Sequence, residues 1–172
     1  PKTSTSVTSS IYNLNTTLVS GETYVVVAAG ITGLSSTTYS STPAFELDVM
    51  AMGREAANAA GNTDVLVYHG STDAPPVDVF ESSTLNATAV NNLEYSDFDG
   101  YLALPTADYV LEVRDSTGAA TVASYDAPLQ TLGLQDSAIT VLASGFLDPS
   151  MNGNGPAFGL FAALPTGGNL VA

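Results

Sequence analysis

Short segments rich in β-branched and aromatic residues run along the whole chain and are separated by turn-forming residues. No long stretch has the period of an amphipathic helix, and the Ala-rich residues 54–60 are too few for a helix that is stable without packing. The pattern predicts an all-β fold, an antiparallel immunoglobulin-like β-sandwich. We place its strands at residues 7–13, 22–29, 44–50, 64–69, 77–81, 88–93, 100–104, 109–115, 121–126, 137–145 and 157–163.

The beginning of the chain resembles its end. With an offset of 115 residues, Gly30 aligns with Gly145. After two residues are omitted from the second loop, Pro-Ala-Phe at 43–45 aligns with Pro-Ala-Phe at 156–158. A chance similarity between β segments is the alternative explanation. The shared glycine and the shared tripeptide favour an internal repeat.

The repeat divides the chain into three parts. Residues 1–53 are the C-terminal part of a first module, residues 54–63 are a linker, and residues 64–172 are a complete module. The first part lacks a counterpart of residues 64–115, and about three strands cannot bury an apolar face by themselves. We therefore expect that either an upstream half-module or strands of a neighbouring molecule complete it by edge pairing.

Acidic residues greatly outnumber basic ones. The chain has 17 Asp and Glu residues against 3 Lys and Arg residues, which gives a net charge of −14. Without clustered cations, binding to nucleic acid and to anionic lipid is disfavoured.

The absence of Cys excludes disulfides and thiolate metal sites, and no apolar stretch approaches the ~20 residues of a membrane-spanning helix. Many Ser, Thr, Asn and Gly residues with few Lys are typical of secreted proteins, so we expect an extracellular or cell-surface location.

One segment and two later strands resemble a known family. Residues 65–80, Val-Leu-Val-Tyr-His-Gly-Ser-Thr-Asp-Ala-Pro-Pro-Val-Asp-Val-Phe, are similar to the opening signature of the DUF4397 family. Residues 100–105, Gly-Tyr-Leu-Ala-Leu-Pro, and residues 109–114, Tyr-Val-Leu-Glu-Val-Arg, are similar to its second hallmark. Gly70 and Thr72 depart from the usual Ala and Pro, which affects the shape of a turn rather than the fold.

The resemblance covers residues 64 to about 163 as a whole unit and residues 4 to about 52 as the tail of a preceding one. It implies a secreted β-sandwich module that often occurs in tandem. The family has no established catalytic activity, so the resemblance supports the architecture and leaves the biochemistry open.

His69, the one histidine of the chain, is the main candidate for chemistry. With Ser71 and Asp73 it could form a hydrolytic triad, and with Asp78 it could form a mixed nitrogen and oxygen metal site. The structural interpretation, which we favour, is that His69 hydrogen-bonds the backbone and Asp73 caps the turn fixed by Pro75. Asp78 then faces away from the core.

Asp97 and Asp99 are the candidate metal ligands, for calcium. Both lie in one loop, where backbone carbonyls could complete an oxygen site. Residues 148–153 imitate the start of an EF-hand loop, but Gly159 stands where the bidentate Glu is required, so that motif is excluded.

Arg114 is the one basic residue of the complete module, and we expect it to pair with Glu112 or Asp78 across the sheet.

The β pattern, the repeat and the shortage of catalytic groups predict a non-enzymatic extracellular structural or adhesive module. It would serve in a surface array or filament and pair by β-strands with itself or with neighbouring modules. The alternative is an extracellular module that binds polysaccharide or calcium. We expect no catalytic residues and no cofactor other than this calcium.

Overall fold

The computed structural model describes residue 10 and residues 12–32 and 38–171. Within these residues the chain forms ten β-strands and one turn of 3-10 helix, Pro149–Met151. The strands are β1 Tyr24–Ala29, β2 Glu46–Ala51, β3 Asn62–His69, β4 Val77–Glu81, β5 Ala87–Leu93, β6 Phe98–Pro105, β7 Asp108–Asp115, β8 Thr121–Pro128, β9 Ala138–Ser144 and β10 Gly159–Ala163. In this part of the chain no helix is long or apolar enough to cross a membrane.

Two four-stranded sheets form a sandwich. Their strand orders are β10-β9-β3-β6 and β5-β4-β7-β8. The core between them contains mainly Val, Leu and Ile side chains, such as Val65, Val79, Val113 and Ile139. The predicted all-β sandwich is confirmed. It departs from a purely antiparallel arrangement where β3 pairs with β9 in parallel.

The β1–β2 hairpin is a separate sheet and lies against the outer face of the sheet that contains β3. The Tyr68 hydroxyl donates a hydrogen bond to Oδ2 of Asp48 in β2 (2.5 Å), and the Ser96 hydroxyl donates to the same oxygen (2.7 Å). Leu66 and Tyr68 point away from the sandwich core, yet they are 0% and 1% exposed. β3 is therefore buried on both faces.

The segment between β2 and β3 is tied to the sandwich by Arg54. Its guanidinium forms an ion pair with the buried Asp64 (Nη1 to Oδ2, 2.7 Å) and lies 4.5 Å from the ring centroid of Tyr101. The Asn58 N–H donates to the same Asp64 oxygen (3.0 Å). β3 begins at Asn62, two residues before the predicted strand, and residues 54–60 contain no helical turn.

The predicted strands 22–163 correspond one by one to β1–β10. The remaining predicted strand, 7–13, falls largely outside the described residues. Its described members, Ser10, Tyr12 and Asn13, are not in a strand.

Candidate functional site

His69 ends β3 and is fully buried. Its Nε2 lies 3.2 Å from the carbonyl oxygen of Pro75, and its Nδ1 accepts from the N–H of Ser71 (3.3 Å). These partners assign the proton to Nε2. Burial lowers the pKa of His69, so the ring is neutral at pH 7. Both ring nitrogens are engaged with backbone groups.

Asp73 connects two loops. Its carboxylate accepts from the N–H groups of Leu147 (2.8 Å) and Asp148 (2.9 Å) and from the side-chain amide of Asn152 (2.7 Å). Asn152 is fully buried and also accepts from the N–H of Ser40, 3.0 Å away. Asp73 therefore fixes the loop after β9 in addition to its own turn, where it accepts from the Ser71 hydroxyl (3.3 Å), and Asn152 continues the connection to the loop between β1 and β2.

The side chains of Ser71, His69 and Asp73 do not form the hydrogen-bond sequence of a hydrolytic triad. The Ser71 hydroxyl donates to the carbonyl oxygen of Gly145 (2.7 Å), and it lies 3.3 Å from Asp73 Oδ1. In a triad this hydroxyl would donate to the imidazole, and the carboxylate would accept from the other ring nitrogen. The arrangement holds loops together.

Asp78 and Arg114 lie opposite each other in the β4–β7 ladder, but their side chains bind different partners. Asp78 is buried and accepts from the N–H of Asn92 (2.7 Å). Arg114 pairs with Glu112 (Nη2 to Oε2, 2.7 Å), and its guanidinium lies 3.6 Å from the ring centroid of Phe80. Of the two predicted partners of Arg114, the structure selects Glu112.

Asp97 precedes β6 and Asp99 is the second residue of this strand, so Asp99 lies in the β3–β6 ladder and not in the predicted loop. The Asp97 carbonyl accepts from the His69 N–H (3.1 Å), and Asp99 lies opposite Val67 in the β3–β6 ladder. Among the described residues, no three His, Asp or Glu side chains are grouped so that they could hold a metal ion. Calcium binding stays a prediction.

Sequence reasoning missed Glu81, which organises the loop after β4. Its side chain is buried, and its carboxylate accepts from the Ser83 hydroxyl and from the N–H groups of Ser83, Thr84 and Leu85. Burial alone would raise the pKa of Glu81, but these hydrogen bonds together lower it to about 2. The signal in the sequence was a glutamate ending a strand before a run of Ser and Thr.

The β1–β2 and β9–β10 hairpins share one register. Ala29 faces Glu46 in the first hairpin, and Ser144 faces Gly159 in the second. Adding 115 to the residue number in β1 and 113 to the residue number in β2 converts the first pairing into the second. The two hairpins therefore agree residue by residue with the sequence alignment.

A glycine with positive φ follows the first strand of each hairpin. Gly30 has a φ of 75° and Gly145 a φ of 87°. A Cβ on Gly30 would lie 2.1 Å from the carbonyl oxygen of Ala44, and one on Gly145 would lie 2.2 Å from that of Ala157. Both hairpins thus require glycine for the same two reasons, backbone conformation and close approach.

The two hairpins differ at one edge. β9 pairs on one side with β10 and on the other with β3, whereas β1 pairs with β2 and with no other strand among the described residues. The Gly53 N–H donates to the Thr23 carbonyl (2.8 Å), which directs the backbone groups of Thr23 towards β2. Because these groups alternate along a strand, those of Tyr24, Val26 and Ala28 point to the other edge. We call this edge the open edge of β1.

One face of the β1–β2 hairpin is equivalent to the side of the β9–β10 hairpin that packs against the sandwich core. In the β1–β2 hairpin this face is exposed. Val141 and Leu160 pack against that core. Their equivalents in the first hairpin are Val26 and Leu47, and Val26 is 51% exposed. The β5-β4-β7-β8 sheet covers the equivalent face of the β9–β10 hairpin. Among the described residues, no such sheet covers this face of the β1–β2 hairpin.

A groove of about 690 Å³ runs beside the open edge. One wall is formed by residues 25–31, and the other is formed mainly by apolar side chains, including Leu142 and Phe161 on the outer face of β9 and β10 and Phe146 in the loop after β9. The groove therefore combines unpaired backbone groups with an apolar floor, and we take it as the candidate functional site.

The family model for DUF4397, a domain of unknown function, matches residues 63–153, which is more than half of the chain. The chain belongs to the DUF4397 family. The DUF4397 match runs from β3 to the loop after β9, so it contains His69, Asp73 and Glu81 but not the β1–β2 hairpin. No curated protein and no solved structure matches the chain.

Proposed function

We propose that this DUF4397 protein is a non-enzymatic structural module of an extracellular or cell-surface assembly, and that its β1–β2 hairpin joins modules by strand pairing. The observation that carries the proposal is the open edge of β1. The equivalent edge of β9 is occupied by β3, in the same hairpin geometry.

The energetics of small sheets support this proposal. A two-stranded hairpin is marginal in water, and unpaired strand edges readily pair with other chains. Pairing at the open edge would satisfy the backbone groups of Val26 and Ala28 and would cover apolar surface that water now contacts. The hairpin is therefore suited to act as a connector between modules.

Light scattering and negative-stain electron microscopy over a range of protein concentrations test the proposal. We expect mass to increase with concentration and elongated particles to appear. Leu132→Ser serves as the control, because Leu132 is an exposed apolar side chain outside the hairpin and its loss should leave assembly unchanged. A chain that stays monomeric at every concentration would refute assembly through this hairpin.

A further inference from the structure

We infer that the open edge of β1 binds an extended segment that runs parallel to β1 and carries apolar side chains on both faces, as β3 does. This inference rests on the proposed function, since it names the kind of strand that completes the hairpin. The partner is defined by chemistry: an uncharged, β-branched strand.

The direction and register follow from β9. β3 pairs in parallel with β9 from Asp64 opposite Ala138 to His69 opposite Ala143. The offset of 115 residues transfers these six positions onto residues 23–28. The bound segment therefore pairs with β1 over about six residues, with its N-terminal end beside Thr23.

The requirement for apolar side chains on both faces follows from the groove. One face of the segment would contact Leu142 and Phe161 on the groove floor, and the other would extend the exposed face that includes Val26. Strands buried on both faces have continuous apolar sequences rather than alternating ones. β3 has such a sequence, Val-Leu-Val-Tyr at 65–68.

The groove also selects against charge. The described residues that line it include no charged side chain, and the whole chain carries a net charge of −14, so an acidic segment would be repelled.

The probe is a peptide with the sequence of residues 62–71 in which Asn replaces Asp64, so that it carries no acidic side chain. Its affinity for the full chain is measured by fluorescence anisotropy, beside a scrambled peptide. Val26→Pro removes an N–H of the open edge, whereas Val49→Pro, directly opposite in the hairpin, removes an N–H of the outer edge of β2. We expect the wild type and V49P to bind equally and V26P to bind at least tenfold more weakly.

N-methylated peptides repeat the test without altering the protein. The Gly70 N–H donates to Ala143 in β9 and the Asp64 N–H donates to Ser137 just before β9, whereas the His69 N–H donates towards β6. N-methylation at the positions of Leu66 and Tyr68 should therefore abolish binding, and N-methylation at Val65 and Val67 should preserve it.

The outcomes separate the inference from the proposed function. Equal binding by V26P and V49P, or equal loss from both pairs of N-methylated peptides, overturns the inference. If no peptide binds while the chain assembles, the inference is wrong and the proposed function stands. If the peptide binds with the expected pattern while the chain stays monomeric, the inference stands and self-assembly fails.

Discussion

Three carboxylates of one nine-residue segment accept hydrogen bonds from backbone N–H groups. Asp73 and Glu81 accept from N–H groups of loops, and the buried Asp78 accepts from the N–H of Asn92 in β5. Hydrogen bonds to a carboxylate are strong, so each of these side chains fixes the segment that supplies its donors. The segment with the strongest family resemblance thus uses its carboxylates to fix two loops and a neighbouring strand.

Glu81→Gln should destabilise the fold by about 1–3 kcal/mol at pH 7, because hydrogen bonds to a charged acceptor are lost and an amide group faces N–H donors. The free energy of unfolding is measured by urea denaturation. Glu94→Gln, at an exposed glutamate, is the control and should change stability little.

The effect of Glu81→Gln should also depend on pH. The pKa of Glu81 is about 2 in the folded chain against an ordinary value of 4.5, so its stabilisation is fully present above about pH 4.5 and is lost as the pH falls towards 2. The stability difference between the wild type and E81Q should therefore shrink across this range. A difference that is constant from pH 7 to pH 2 would contradict the assignment.

The sequence alone placed His69, Asp73 and Pro75 in one turn, because Pro and Asp are turn formers with local effects. It did not predict that Asp73 accepts from Asn152, which lies 79 positions later in the chain. Hydrogen bonds of that separation depend on which strands become neighbours, and local sequence does not carry that information.

At the level of elements, segments rich in β-branched and aromatic residues predicted eleven strands, ten of which correspond to β1–β10, but they did not predict the pairing of these strands. The parallel contact between β3 and β9 is the clearest example, since antiparallel neighbours were expected. The continuous apolar run at 65–68 carried a further signal, because such runs are typical of strands buried on both faces. Interpreted in that way, it predicts the third layer that the β1–β2 hairpin forms over β3.

Gly145→Ala should lower the stability of the sandwich by about 2–4 kcal/mol, since positive φ and a backbone clash both oppose a side chain there. Gly133→Ala separates the two causes. Gly133 also has positive φ, 68°, but a Cβ there meets nothing within 4 Å, so we expect a loss of only about 1 kcal/mol. Thermal denaturation followed by circular dichroism measures both. Equal effects would show that the clash contributes nothing.

At the scale of the whole molecule, charge imbalance is the dominant electrostatic feature. In the described residues, Arg54 and Arg114 are each paired with one carboxylate, which leaves most acidic groups without a basic partner. Compaction brings these like charges together and costs free energy. The same repulsion opposes the approach of two copies, so any assembly must overcome it through apolar contact and backbone pairing.

Added NaCl should therefore raise the melting temperature by a few degrees between 0.01 and 0.5 M. It should also increase the extent of assembly. Both effects are expected because salt screens the repulsion between charges beyond about 10 Å at 0.1 M. The triple variant Glu55→Gln, Glu94→Gln and Asp126→Asn removes three exposed negative charges. It should melt higher than the wild type at low salt and respond less to NaCl. If the wild type and the triple variant responded equally, apolar burial rather than screened repulsion would be the cause of the salt effect, since salts also strengthen apolar contacts.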